Sequence, residues 1–318
     1  MKSARPKGQT SRLEAAAIGG NTAAQYKIAT QYQAGIKRRK SIREATRWFH
    51  LAASGGHPAA MLQTGHCYMR GIGVKQDHTT AAAWYRKAAH RGNAEAQFQL
   101  GWCYEFAIGV KPSRTDAVRW YKKSAIRSHA RAQSGLARYY QEAGDFRAAA
   151  RWWHRAADQG DARAQFDLGE RFELGDGVEQ NVTEAARWYL KAAKRGHQMA
   201  QFNLGIFYCT GKGVKKNRVQ MAAWWRRSAR QGHAQSQYNL AMCYEVGDGV
   251  PKSRATAVRY FQLAAAQPVY TPRINLERVY LCGGEEHDVR KALSEDSDIA
   301  DAARPDPAQI NADEMRRR

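Results

Sequence analysis

Apolar positions recur on two nested periods along this chain. Within one segment, Phe98, Leu100, Gly101 and Tyr104 fall on one face of a helix with 3.6 residues per turn. Ala117, Trp120-Tyr121 and Ser124-Ala125 then mark a second stripe, small residues four apart around a ring pair, which suits a tight helix–helix contact. The couple of stripes returns again and again. An Ala-Gln-aromatic step, or a close relative of it, sits at Gln25, Met61, Gln97, Gln133, Gln165, Gln201 and Gln237. A ring marker follows at Trp48, Trp84, Trp120, Trp152, Trp188, Trp224 and Tyr260. Both markers advance by 36 residues, with the same single exception of 32 between the fourth and fifth. A period of this size predicts a stacked array of helix couples that offers an extended surface, in place of one pocket in one core.

Polar and glycine positions keep the same step. Asn21, His57, Asn93, His129, Asp161, His197 and His233 each head a first helix, where a side-chain acceptor caps a free backbone N–H. The histidines therefore read as loop or cap residues. One per repeat, in layers about 10 Å apart, they stand too far from one another to share a metal ion. First helices stop at Gly-x-Gly-Val loops, clearest at Gly71-Ile72-Gly73-Val74, Gly175-Asp176-Gly177-Val178, Gly211-Lys212-Gly213-Val214 and Gly247-Asp248-Gly249-Val250. The 32-residue repeat lacks this loop, and Ala143-Gly144-Asp145-Phe146 joins its helices directly. Seven complete helix couples are expected, preceded by a half-repeat at Arg12–Ile18 and followed by another at 271–282. A short closing helix is placed at 288–293, and the acidic, Pro-interrupted segment 294–318 reads as disordered.

Residues Ala200-Gln201-Phe202-Asn203-Leu204-Gly205, Tyr208, Gly211-Lys212-Gly213-Val214, Ala223-Trp224-Trp225-Arg226-Arg227-Ser228-Ala229 and Gly232-His233 together resemble the Sel-one-like repeat family, a subclass of tetratricopeptide-like repeats. The resemblance covers roughly residues 11–282. It implies an all-α, right-handed solenoid of antiparallel helix pairs. It also implies a scaffold or adaptor that binds other proteins. The domain organisation expected is a basic extension at 1–10, the solenoid at 11–284, and a cap and tail at 285–318.

Composition removes several function classes. The longest apolar runs are a few residues, too short for a membrane span. The basic start has no apolar core like that of a signal peptide, although its lack of acids before Glu14 leaves a mitochondrial presequence open. Five sparse cysteines without a Cys-x-x-Cys pair argue against a disulfide framework or a zinc site and fit a cytoplasmic setting. Gly205 and Gly211-Lys212 miss the phosphate-loop pattern in spacing and in the residue after the lysine. No Gly-x-Ser-x-Gly elbow, His-Glu-x-x-His or calcium loop occurs. The expectation is a chain that is not an enzyme and carries no cofactor or metal.

Charge is the unusual property. The formal net charge is +22, and from Glu285 onward ten acids against six Lys/Arg make the end of the chain acidic, leaving the body about +26. With Tyr189 inward, Arg187 and Lys191 both point about 200° away, at 100° per residue. Arg119, Lys123, Arg151, Arg155 and Arg227 occupy the same two columns, on the helices that line the convex side in the resembling family. Two readings of this ridge stand together: a solvated face, or a site for nucleic acid or another anionic surface. First helices are expected to line the concave side with Trp102, Glu105, Phe106, Glu142, Glu170, Glu173, Ile206, Met242 and Glu245. Trp102 and Phe106 lie outside the recurring core set and read either as packing under a loop or as anchors for a peptide. The partner expected there is a protein segment with basic and apolar residues, bound as by an adaptor or as by an inhibitor or immunity protein plugging an active site.

Overall fold

The computed structural model describes residues 12–267, and among these the chain forms fifteen helices and no strand. A short α1 (Arg12–Ile18) leads into α2 (Thr22–Ala34) and α3 (Ile42–Ser54), α4 (Pro58–Arg70) and α5 (His78–His90), and α6 (Ala94–Glu105) and α7 (Arg114–Ile126). The fourth repeat consists of α8 (Ala130–Glu142) and α9 (Phe146–Asp158). Then come α10 (Ala162–Leu174) and α11 (Val182–Lys194), α12 (Gln198–Thr210) and α13 (Arg218–Arg230), and α14 (Ala234–Val246) and α15 (Arg254–Ala265). The chain divides into two compact units at the direct joint of the 32-residue repeat: unit 1 runs to Asp145 and unit 2 starts at Phe146. Within each unit every helix packs on the next in the chain, as an α-solenoid requires. The extension at 1–10, the half-repeat at 271–282, the closing helix at 288–293 and the segment 294–318 lie outside the described residues.

The seven first helices α2 to α14 start as their sequence demands. Asn21, His57, Asn93, His129, Asp161, His197 and His233 each accept from the backbone N–H three residues on. The four histidines do so through Nδ1, at 3.2 Å. Each also lies against a ring of the preceding first helix, His57 on Tyr26, His129 on Phe98, His197 on Phe166 and His233 on Phe202, with centroids 4.6 to 5.0 Å apart. Second helices use Ser41, Asp77, Ser113, Asn181, Asn217 and Ser253 as caps.

Buried glutamines join one repeat to the next. Gln25, Gln97, Gln133, Gln165, Gln201 and Gln237 each donate through Nε2 to the carbonyl eight residues back, at 3.0 or 3.1 Å. Those carbonyls belong to Ala17 of α1 and to Ala89, Ala125, Ala157, Ala193 and Ala229 in the last turns of second helices, where each also accepts the turn N–H three residues on. Met61 is the one marker position that forgoes this bond. Under the glutamine, the second ring of each pair fills the interior. Tyr85, Tyr121 and Tyr189 are fully buried, and a Cβ at Gly101 would sit 2.8 Å from the Tyr121 ring. Glycine in the first helix is thus what lets the ring approach.

The Gly-x-Gly loop does two jobs. Gly211 adopts φ +81 and stops α12, its N–H bonding Phe207 O at 2.8 Å. Gly213, at φ +67, lies so close to the first turn of α11 that a Cβ would collide with the Val182 carbonyl. The loop of one repeat therefore rests on the helix start of the repeat before. Cys67, Cys103 and Cys243 are free and buried, as small core residues.

Candidate functional site

The first-helix face of unit 1 centres on the end of α6. Phe106 caps that helix in a non-helical conformation and is 52% exposed. Its ring meets that of Trp102 at 5.5 Å. The two anchors expected from the sequence differ in setting, because Trp102 is half-buried and packs on the core that includes Leu100, Cys103 and Tyr85. Beside them lies a cavity of about 370 Å³ lined by Tyr104, Glu105, Pro112, Ser113, Arg114, Tyr139 and Glu142.

The carboxylates here are already matched within the chain. Glu105 accepts from the Tyr121 hydroxyl at 2.5 Å and from Arg138 at 2.7 Å. Glu142 accepts from Arg114 at 2.9 Å, and the Arg114 guanidinium stacks over Tyr139 at 5.0 Å. The sequence columns held both acids but not their partners. One signal was available: acid and tyrosine stand sixteen residues apart at Glu105–Tyr121 and again at Glu173–Tyr189.

In unit 2 the same positions fall on α10, α12 and α14. Glu173 accepts from Tyr189 at 2.6 Å and from Lys212 at 2.9 Å. Glu170 is half-buried, and burial, then the charge of Asp167, pushes its carboxyl above the usual range. Glu245 has one buried oxygen without a hydrogen-bond partner. Ile206 is partly buried against the core of α12 to α14, and Met242 is half-buried. At the helix ends, Leu174 is 61% and Val246 65% exposed. Of these acids, Glu105, Glu142 and Glu173 are compensated within the chain, while Glu170 and Glu245 have no cation at hydrogen-bond distance among the described residues.

The second-helix columns are exposed as the helical phase required. Arg119 pairs with Asp116 at 2.9 Å and Arg187 with Glu184, so part of that column is neutralised by an acid one turn earlier. Arg151 has alanine at that earlier position and is exposed, with no ion pair among the described residues. The other column does something the pattern did not reveal. Each of its cations lies over the tryptophan three residues before it: Lys87 on Trp84, Lys123 on Trp120, Arg155 on Trp152, Lys191 on Trp188 and Arg227 on Trp224, at 3.5 to 4.7 Å from the ring centroid. Such contacts contribute on the order of 0.5–1 kcal/mol each at exposed sites. No group of three or more His, Cys, Asp or Glu suited to a metal occurs among the described residues. None of the described helices is long and apolar enough to cross a membrane.

Comparison with known proteins agrees with this architecture. The Sel1 repeat matches seven times, at residues 22–57, 58–93, 94–129, 130–161, 162–197, 198–233 and 234–269, each match opening one residue after a first-helix cap. The structure of c5321, a protective antigen of uropathogenic Escherichia coli with an SLR fold, is 30% identical over 93% of this chain and 73% of its own, with a TM-score of 0.67. A Sel1 repeat protein from Oxalobacter formigenes is also 30% identical, over 88% of this chain and 78% of its own, with a TM-score of 0.68. The immunity protein Pa5087 from Pseudomonas aeruginosa, at 20% identity over 66% of this chain and 81% of its own and a TM-score of 0.42, is too distant to bear on function. No curated protein matches the chain at a significant level. Sel1 repeat proteins are generally protein-interaction scaffolds. Seven consecutive matches, fifteen helices and two 30%-identical structures lead to one assignment: this chain belongs to the Sel1 repeat family.

Proposed function

We propose that this protein is a non-enzymatic adaptor that holds a segment of another protein against its first-helix face, with Phe106 and Trp102 as the anchor in unit 1. The observation that carries the reading is the Phe106 ring, 52% exposed at a helix end and in contact with Trp102. An exposed ring backed by a half-buried tryptophan is the kind of aromatic anchor where binding energy concentrates. The adjoining cavity is lined by Glu105, Glu142 and Tyr139, and the chain's own Arg114 already satisfies Glu142 there. A partner with an apolar side chain followed by a basic one suits this arrangement, the basic group competing with Arg114 for Glu142. Complementary charge then governs selectivity and association rate more than affinity.

The experiment is capture of partners from native lysate by the whole chain, in parallel with Phe106→Ala and with Trp102→Ala/Phe106→Ala. Phe106→Ala leaves the core intact and is expected to weaken capture of the bound protein by about 2 kcal/mol, the size of an interface hot spot. Trp102 touches the core, so circular dichroism of the double variant separates lost binding from lost folding. Undiminished capture by folded Phe106→Ala would move the working surface elsewhere.

A further inference from the structure

Charge in unit 2 is sorted by helix type. Its four second helices, α9, α11, α13 and α15, carry twelve Lys/Arg and two Asp/Glu, a difference of +10. Its three first helices, α10, α12 and α14, carry two Lys/Arg and four Asp/Glu, a difference of −2. Folding thus places nearly all of the excess on one face. Ten of the twelve cations are arginine, whose planar fork matches phosphate oxygens better than a point charge does. Only Arg187, through Glu184, and Arg218, through Asp248, form ion pairs among the described residues.

The cations are also arranged. His154 of α9 packs edge-on against Trp188 of α11, ring centroids 5.5 Å apart, so these second helices are immediate neighbours. Arg155, Lys191 and Arg227 recur one per helix, each laid over the tryptophan of its own helix. Packed helices lie roughly 10 Å apart, close to the ~8 Å Debye length of physiological salt, so the fields of successive cations merge. A solvated face would have no need of such an excess, since the first helices manage with few charges.

We propose that the second-helix face of unit 2 binds duplex nucleic acid through its phosphates, without reading sequence. Two further observations select this ligand. Trp188 and Trp224 are buried, Trp152 is partly buried, and each lies under its own cation, so they offer no open stacking platform for single-stranded bases. Along α9, α11, α13 and α15 the exposed large apolar residues are Phe146 and Val219, both in first turns, and Leu263 on α15, so nothing exposed and apolar stands among Arg155, Lys191 and Arg227 to enter a bilayer. This activity is independent of the first-helix face.

The test titrates the full chain against a fluorescent 25-base-pair DNA duplex of random sequence, over a range of salt. Binding should weaken steeply with salt and be indifferent to sequence. The variant Arg151→Gln/Arg155→Gln/Lys191→Gln/Arg227→Gln should bind at least about tenfold more weakly at low salt, and its log–log salt slope should fall by up to about 0.9 per lost phosphate contact. Arg155→Lys/Arg227→Lys, which keeps the charge over the tryptophans, should lose less affinity than the four-site variant while keeping the wild-type salt slope, and controls for folding. Phe106→Ala should bind the duplex normally, which keeps this outcome separate from that of the adaptor reading. No binding by wild type at low salt, or an unchanged slope in the four-site variant, would overturn the proposal. So would equal or tighter binding to single-stranded DNA of the same length, to vesicles with phosphatidylserine, or to polyglutamate at matched charge.

Discussion

Glu245 shows how much a single hydroxyl decides on the first-helix face. Glu105 and Glu173 each receive a bond from the tyrosine sixteen residues later, Tyr121 and Tyr189. At the corresponding place after Glu245 stands Phe261, and one Glu245 oxygen is buried and unpartnered. A buried acceptor without a donor is costly, whereas a made hydrogen bond contributes about 1 kcal/mol. Phe261→Tyr is therefore expected to raise unfolding stability by about 1 kcal/mol in urea denaturation. A neutral or destabilising result would mean that the ring at 261 does not aim at Glu245 as its counterparts aim at Glu105 and Glu173. Sequence reading set the acids in one column by their repeat position. It did not reveal their partners, because a tyrosine looks the same in a sequence whether its hydroxyl meets water or a carboxylate.

The first-helix caps tie the secondary structure to pH. His57, His197 and His233 accept a backbone N–H through Nδ1, which requires the neutral ring. Burial holds all three below the ordinary histidine range. The folded form therefore binds protons less readily than the unfolded one. Stability from these caps is complete above the unfolded value of about 6.5 and is lost as pH falls through the lower folded values. An N-cap contributes about 1 kcal/mol, so the melting temperature is expected to drop between pH 7 and pH 5. His57→Asn/His197→Asn/His233→Asn, which installs the cap already used at Asn21 and Asn93, should flatten that dependence. If the triple variant keeps the wild-type pH profile over this interval, other groups set it. The cap role itself was legible in the sequence from position alone. The ring stacking was not, since Tyr26, Phe166 and Phe202 meet these histidines only once the repeats stack.

At the scale of the molecule, each unit is a stack in which every helix packs on the next in the chain, and its stability should follow those nearest-neighbour contacts. Trp120 is 3% exposed and shares a core with Ala88, Leu100 and Cys103 of neighbouring helices in unit 1. Trp120→Ala is expected to cost roughly 3–5 kcal/mol, as for a large ring taken from a packed interior. In an array held by nearest-neighbour contacts, the loss should appear first around the affected repeats. Hydrogen exchange checks this: peptides of α5 to α8 should lose protection before any others in the chain. A uniform loss of protection along the whole chain would contradict the nearest-neighbour picture.

Among the described residues, the 36-residue period, the ring pairs and the cap residues dictated the helices and their boundaries, because those depend on local chemistry repeated in register. The sequence reading treated 11–284 as one solenoid, and the division into two units at Asp145 and Phe146, in the 32-residue repeat, came only with the folded structure. Packing decided what lies between residues distant in sequence. It set which carboxylates are compensated, that Phe106 is open while Trp102 leans on the core, and that lysines and arginines lie flat over the tryptophans. Charges and rings can be counted along a chain, but whether a charge is free or a ring is exposed depends on neighbours that only folding brings together.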